Sequence, residues 1–161
     1  MNKKVRTAMR KAGSLLAALL FVGCAAAVAV PLPPNVHIVP PPPAVPQHLA
    51  AFSGKWVGAW VTSTLVAGHV QSRDHILIVE EIGGPGVAVV FALGSGLGLG
   101  IPDPKPVWFR MNGRFVDGEL KLFYPAIGSI KTYRMLPDGT LDATNEHSGT
   151  IERAHMIRAK D

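Results

Sequence analysis

From Ala51 to the carboxyl terminus, apolar residues come in short runs broken by Gly, Pro, Asn and Asp, and no run keeps a 3.6-residue period. That pattern predicts strands and no helices. The runs lie near 55–62, 74–82, 86–93, 106–112, 118–124, 129–136, 140–145 and 150–158. Alternation is clearest where Leu120, Leu122 and Tyr124 interleave with Glu119 and Lys121, so one face of that strand is buried and the other wet. Runs 76–82 and 87–93 are apolar on nearly both faces. They suit the most buried part of a sheet, a surface covered by the preceding segment, or one facing lipid or a partner. Asn112-Gly113 and Asp117-Gly118 are tight-turn dipeptides, and Pro137-Asp138-Gly139 has Pro for a preset φ and Gly for a positive one. Eight strands joined by short loops predict an all-β fold: an antiparallel meander closing into a small barrel, with a small sandwich as the alternative.

The amino terminus follows other rules. Residues 1–23 have a basic stretch ending at Lys11, an apolar run from Leu15 to Val22, and Gly23 before the single cysteine, Cys24. This is the order of a secretory signal peptide. Leu20-Phe21-Val22-Gly23-Cys24 resembles the lipobox of bacterial lipoproteins, which implies lipidation of Cys24 and a membrane anchor made of acyl chains. Two other readings stay open. Ala25-Ala26-Ala27 and Ala27-Val28-Ala29 permit ordinary cleavage to a soluble secreted protein, and the uncharged 19 residues from Ala12 to Val30 approach the length of a membrane-spanning helix. All three place the rest of the chain outside the cytoplasm.

Eight of the 14 prolines fall between Pro31 and Pro46. Residues 24–50 therefore read as a lipid-anchored, extended, semi-rigid linker that stands the 51–161 domain off from the membrane. The alternative for Pro40 to Pro43 is docking into an aromatic groove of a partner.

Charge changes the picture less than the net +5 suggests. Five of the 16 basic residues lie at or before Lys11, and the remaining 11 balance the 11 acids. No basic stripe interleaved with aromatics is present, so a nucleic-acid partner is not expected. One cysteine excludes a disulfide framework.

Gly54-Lys55-Trp56, at the head of the first strand, resembles the Gly-x-Trp signature of lipocalins and the wider calycin group of barrels. The resemblance implies that Trp56 packs across the closed end of a barrel and that a late basic residue, Arg153 or Arg158, stacks on it. It departs from that family in its short domain, in the missing later motifs and carboxyl-terminal helix, and in the duplicate Gly58-Ala59-Trp60. The doubled Trp followed by Leu77-Ile78-Val79-Glu80-Glu81-Ile82 and Asp138-Gly139-Thr140-Leu141 is also similar to a family of bacterial envelope domains.

No constellation for chemistry emerges. Ser95 and Ser129 lie outside any Gly-x-Ser-x-Gly, and the run Gly94-Ser95-Gly96-Leu97-Gly98-Leu99-Gly100 lacks the Lys of a phosphate loop. That run reads as a flexible loop or, less simply, as a lid or a strand closely approached by another backbone. The six histidines show no metal-ligand spacing, though His69 and His75 flank a turn near Asp74. Glu80 and Glu81 point to opposite faces of a strand and cannot share a substrate; an inward Glu beside Arg110 or Arg134 would form an ion pair or a polar handle. No cofactor, metal or enzymatic activity is expected. The expected function is an envelope-anchored barrel binding a small apolar ligand, with Trp60, Phe91, Trp108 and Tyr124 lining it. The alternative is an interaction module docking onto another envelope protein.

Overall fold

The computed structural model of the chain describes residues 30–62, 72–83, 86–97, 105–126, 128–147 and 150–160. Residues 1–29, and with them the signal segment and Cys24, lie outside these, as do His69 and the end of the glycine run. Eight strands follow in order: β1 (Gly54–Thr62), β2 (Ser72–Gly83), β3 (Gly86–Leu97), β4 (Val107–Val116), β5 (Glu119–Tyr124), β6 (Ser129–Met135), β7 (Leu141–His147) and β8 (Thr150–Arg158). Each pairs antiparallel with the next and β8 returns to β1, so the meander closes as a barrel and leaves no sheet edge. A four-residue helix, α1 (Gln47–Ala50), precedes β1 and starts after Pro46, whose fixed φ suits a helix entrance.

Side chains alternate inward and outward along the strands, interrupted in β2 where the pairing with β3 shifts register, and the inward set forms the core, with Trp56, Leu77, Val89, Leu120, Leu122 and Tyr133 all buried. In β5, Leu120, Leu122 and Tyr124 share one face as the alternation requires, while Lys121 and Glu119 pair outside at 3.7 Å. The β4–β5 turn is Asp117-Gly118, with φ of 53° and 80°; two successive left-handed residues make a two-residue hairpin loop that matches strand twist.

Asn112-Gly113 is not a turn. It lies within β4, with Gly113 opposite Leu122 and Val87, and a Cβ on Gly113 would come within 2.5 Å of Leu122 and 2.8 Å of Leu120. This glycine is a packing requirement of the inner face. The first part of the glycine run likewise continues β3 to Leu97.

The proline-rich stretch does not stand off from the barrel. Its described part lies along the outside of β2, β3 and β4. A Cβ on Gly94 of β3 would sit 3.2 Å from Val30, Arg110 of β4 donates to the Asn35 carbonyl at 2.8 Å, and the Val39 amide donates to the Glu80 carbonyl at 2.7 Å. Val45 then packs on the core as the chain turns into α1. Underneath lie the outward residues Ile78, Val90 and Ala92, each buried though none belongs to the barrel interior. Two-sided apolarity in β2 and β3 thus has two causes: the barrel core on one side and the arm on the other. Glu80 also belongs to this outer face, two residues on from Ile78. The β2–β3 register shift between Val79 and Glu81 leaves Glu81 exposed as well while returning Ile82 to the core, so the two carboxylates do not take opposite faces as strict alternation predicts. The Glu80 carboxylate pairs with Arg110 at 3.1 Å beneath the arm, rather than inside the barrel, and accepts from the His37 amide at 3.2 Å.

Candidate functional site

At the end where β1 begins, the barrel is filled. Trp56 is fully buried and its indole N–H donates to the Phe52 carbonyl at 2.8 Å, while Phe52 meets Phe115 edge-on at 5.2 Å. Arg158 covers this plug: its guanidinium carbon is 4.2 Å from the Trp56 ring centroid, and it donates to the carbonyls of Ser53 (2.7 Å) and Ala51 (2.6 Å). Gly54 makes room for it, because a Cβ there would lie 2.5 Å from the guanidinium nitrogen, at a φ of 118° that a side chain resists. Arg153 has no part in this contact. It is exposed on the outer face of β8 opposite Val61, an odd number of residues from Arg158 and therefore on the other side of the strand.

Toward the opposite, distal end the interior changes character. Trp60 stacks on His75 at 5.2 Å, His75 lies 4.5 Å from Phe91, and Tyr133 meets Trp60 edge-on at 6.2 Å. His75 is held on both nitrogens, by the Ala92 carbonyl at 3.0 Å and the Tyr133 hydroxyl at 2.9 Å. A neutral imidazole satisfies both: one nitrogen donates to the carbonyl and the other accepts from the phenol. Burial pushes His75 down to about 3 and Tyr133 up. His75 is thus a satisfied interior histidine. Among the described residues no group of His, Cys, Asp and Glu is arranged to hold a metal.

Lys131, on β6, is the unusual member. Its ammonium lies inside, 5.1 Å from the Phe91 centroid and 5.7 Å from that of Tyr124, and donates to the Ser129 hydroxyl at 2.7 Å and the Asn145 amide oxygen at 3.3 Å. Both acceptors are neutral. The nearest acid in this network is Glu152, which accepts from Asn145 at 2.6 Å and so stands one hydrogen bond removed from the ammonium. Desolvation lowers Lys131 to about 8 against the opposing field of Glu152, leaving it charged at neutral pH. The Ser129 hydroxyl donates a hydrogen bond to the Asn145 amide oxygen and accepts one from Lys131, so it faces no base that could take its proton. A second donor is spare: the Trp60 indole N–H is buried with no hydrogen-bond partner among the described residues.

Of the residues expected to line the barrel, Trp60, Phe91 and Tyr124 do so around Lys131 and His75. Trp108 does not. Phe109 takes the inward position opposite Phe91, so its neighbour Trp108 projects to the outer surface. Lys131 and Ser129 were missed by sequence reasoning, yet a signal existed, since both lie at period two from Tyr133 and share its face. Among the described residues no helix is long and apolar enough to cross a membrane. Comparison with protein-family models, with curated proteins and with solved structures found no match to this chain.

Proposed function

We propose that this protein is an extracytoplasmic, non-enzymatic binding module, held at a bacterial membrane by its amino-terminal segment through Cys24. Its barrel interior takes a small, mostly apolar ligand carrying an acidic group. One observation carries the reading: the buried Lys131 ammonium sits between aromatic faces with neutral oxygens as its only hydrogen-bond acceptors among the described residues. An interior cation without a contacting anion is costly, and an incoming carboxylate or sulfonate offsets that cost. The spare Trp60 N–H asks for an acceptor as well, and Phe91, Tyr124 and Trp60 present the apolar surface for the rest of such a molecule. The lipocalin-like signature at Gly54-Lys55-Trp56 supports the same class of function by resemblance.

Titration of the detergent-solubilised full chain with a matched pair of fluorescent probes tests this reading. The anionic probe is anilinonaphthalene sulfonate and the neutral one is phenylnaphthylamine. Lys131→Met is expected to weaken the anionic probe about 10- to 100-fold, the worth of a hydrogen bond to a charged group, and to leave the neutral probe unchanged. Equal affinity of both proteins for the anionic probe, with the fold intact by circular dichroism, overturns the proposal.

A further inference from the structure

Five large apolar side chains on the outer wall occupy equivalent places. Val61 is the second residue from the distal end of β1, and Trp108, Phe123, Ile130 and Ile151 hold the same place in β4, β5, β6 and β8. Each is between 39% and 58% exposed. Phe123 and Ile130 are direct cross-strand partners, and Glu146 of β7 stands in register between Ile130 and Ile151. At the other end Ile157 is the lone counterpart among the exposed large apolar residues of the described strands. Period-two alternation explains why these side chains point outward; it does not explain why five strands spend that position on an apolar residue. Soluble monomers scatter such residues singly, and a rim of them marks a surface that is covered in use.

The arm identifies the cover. It is fastened to the barrel at Asn35, His37 and Val39, and Val30 leaves it beside Gly94 and Asp74, at the distal end of β3 and β2. Val30 is six positions after Cys24, a reach of about 20 Å even fully extended. A membrane anchor at Cys24, or an uncleaved helix ending near Val30, therefore brings the bilayer to the distal rim and not to the Arg158 end.

We infer that the distal rim, Val61, Trp108, Phe123, Ile130 and Ile151, docks onto the lipid bilayer, with the barrel axis upright and the Lys131 end facing the membrane. Trp108 supplies the amphipathic ring that favours the headgroup boundary, and Glu146 reaches from the rim to the aqueous side of that layer. The inference rests on the membrane reading of residues 1–24, and it makes the bilayer the source from which an acidic, apolar ligand reaches Lys131.

Reconstitution of the full chain in vesicles of dibrominated phosphatidylcholine tests it, because acyl-chain bromine quenches only a tryptophan that enters the lipid. Trp108 is expected to lose most of its emission, and the quenchable component to vanish in Trp108→Phe. In that background a reporter at the Arg158 end, Ile157→Trp, is expected to keep its emission. Vesicle-bound protein whose Trp108 is quenched by aqueous acrylamide and not by bromine overturns the docking alone, and assigns the rim to a protein partner. Equal bromine quenching at both reporters overturns the upright orientation. Protein that fails to float with vesicles overturns the membrane reading of residues 1–24 and the docking together.

Discussion

Arg158 lies over Trp56, its guanidinium carbon 4.2 Å from the ring centroid, and the same guanidinium ties down the carbonyls of Ser53 and Ala51. One side chain from the last strand thus closes the barrel at its first strand and fixes the chain that enters it. The energetics are unequal. Trp56 is fully buried, so Trp56→Ala is expected to cost about 3–5 kcal/mol in urea unfolding. Arg158→Met removes a partly solvated cation–π contact and two hydrogen bonds, and is expected to cost about 1–2 kcal/mol. A Trp56→Ala protein that unfolds at the wild-type urea concentration would show that the plug is not what holds this end shut.

Lys131 makes the opposite prediction, that removing it stabilises the protein. Its folded pKa is about 8 against an ordinary 10.5, so below pH 8 the fold carries a buried charge that the unfolded chain solvates freely. Between pH 8 and 10.5 the folded state gives up a proton that the unfolded state still holds, and stability rises with pH across that window. Lys131→Met is expected to gain about 1–2 kcal/mol at pH 7 and to lose that advantage by pH 10, read as chemical-denaturation midpoints. A gain that does not change with pH would point to packing rather than charge.

His75 governs the acid side. It is neutral in the fold down to about pH 3, while the unfolded chain binds a proton from pH 6.5 downward, so its contribution is intact above 6.5 and drains away between 6.5 and 3. His75→Gln keeps a hydrogen-bonding group beside Tyr133 but cannot titrate. Its stability is expected to fall less steeply over that interval, by up to about 1.4 kcal/mol per pH unit, although it starts from a lower value at pH 7. Parallel curves for the two proteins would place the acid sensitivity elsewhere, and Glu80, whose pKa is lowered mainly by its Arg110 hydrogen bond, is then the next group to replace.

The barrel was readable because its strongest signals are local. Leu120, Leu122 and Tyr124 alternate cleanly, and Asp117-Gly118 can adopt the two positive φ angles of a tight hairpin. The Gly54-to-Trp56 pattern with a late arginine was readable too, though parity along β8 was needed to prefer Arg158 over Arg153. The interior charge was not readable in the same way. In β6 the usual pattern is inverted near the distal end, with Lys131 and Ser129 inside and Ile130 outside, so hydropathy points to the wrong face. The register carried back from Tyr133 decides it, and that register is a property of the whole sheet. The Asn112-Gly113 dipeptide misled for a related reason: a glycine demanded by the side chains of β5 has the same letter as one demanded by a turn. Composition also predicted an extended chain over residues 31–46, but it holds no information on the turn that the Val45 amide closes onto the Pro42 carbonyl or on what the segment lies against.

That arm provides the last prediction. Its hold on the barrel runs through Glu80, which pairs with Arg110 and accepts from the His37 amide, while Arg110 reaches on to the Asn35 carbonyl and side chain. The Val39 amide, donated to the Glu80 carbonyl, reports on docking directly. Arg110→Ala removes the cation that joins barrel to arm without touching the barrel interior, so global unfolding is expected to change little while Val39 exchanges its amide hydrogen about tenfold faster. Acid should act in the same direction: the Glu80 carboxylate contributes only while ionised, and its contribution is lost as pH falls through its lowered pKa. Release of the arm uncovers Ile78, Val90 and Ala92, so faster exchange should come with a greater tendency to aggregate. If Val39 exchanges at the wild-type rate in Arg110→Ala, the arm is held by its packing over those three residues, and the ion pair only marks where it lies.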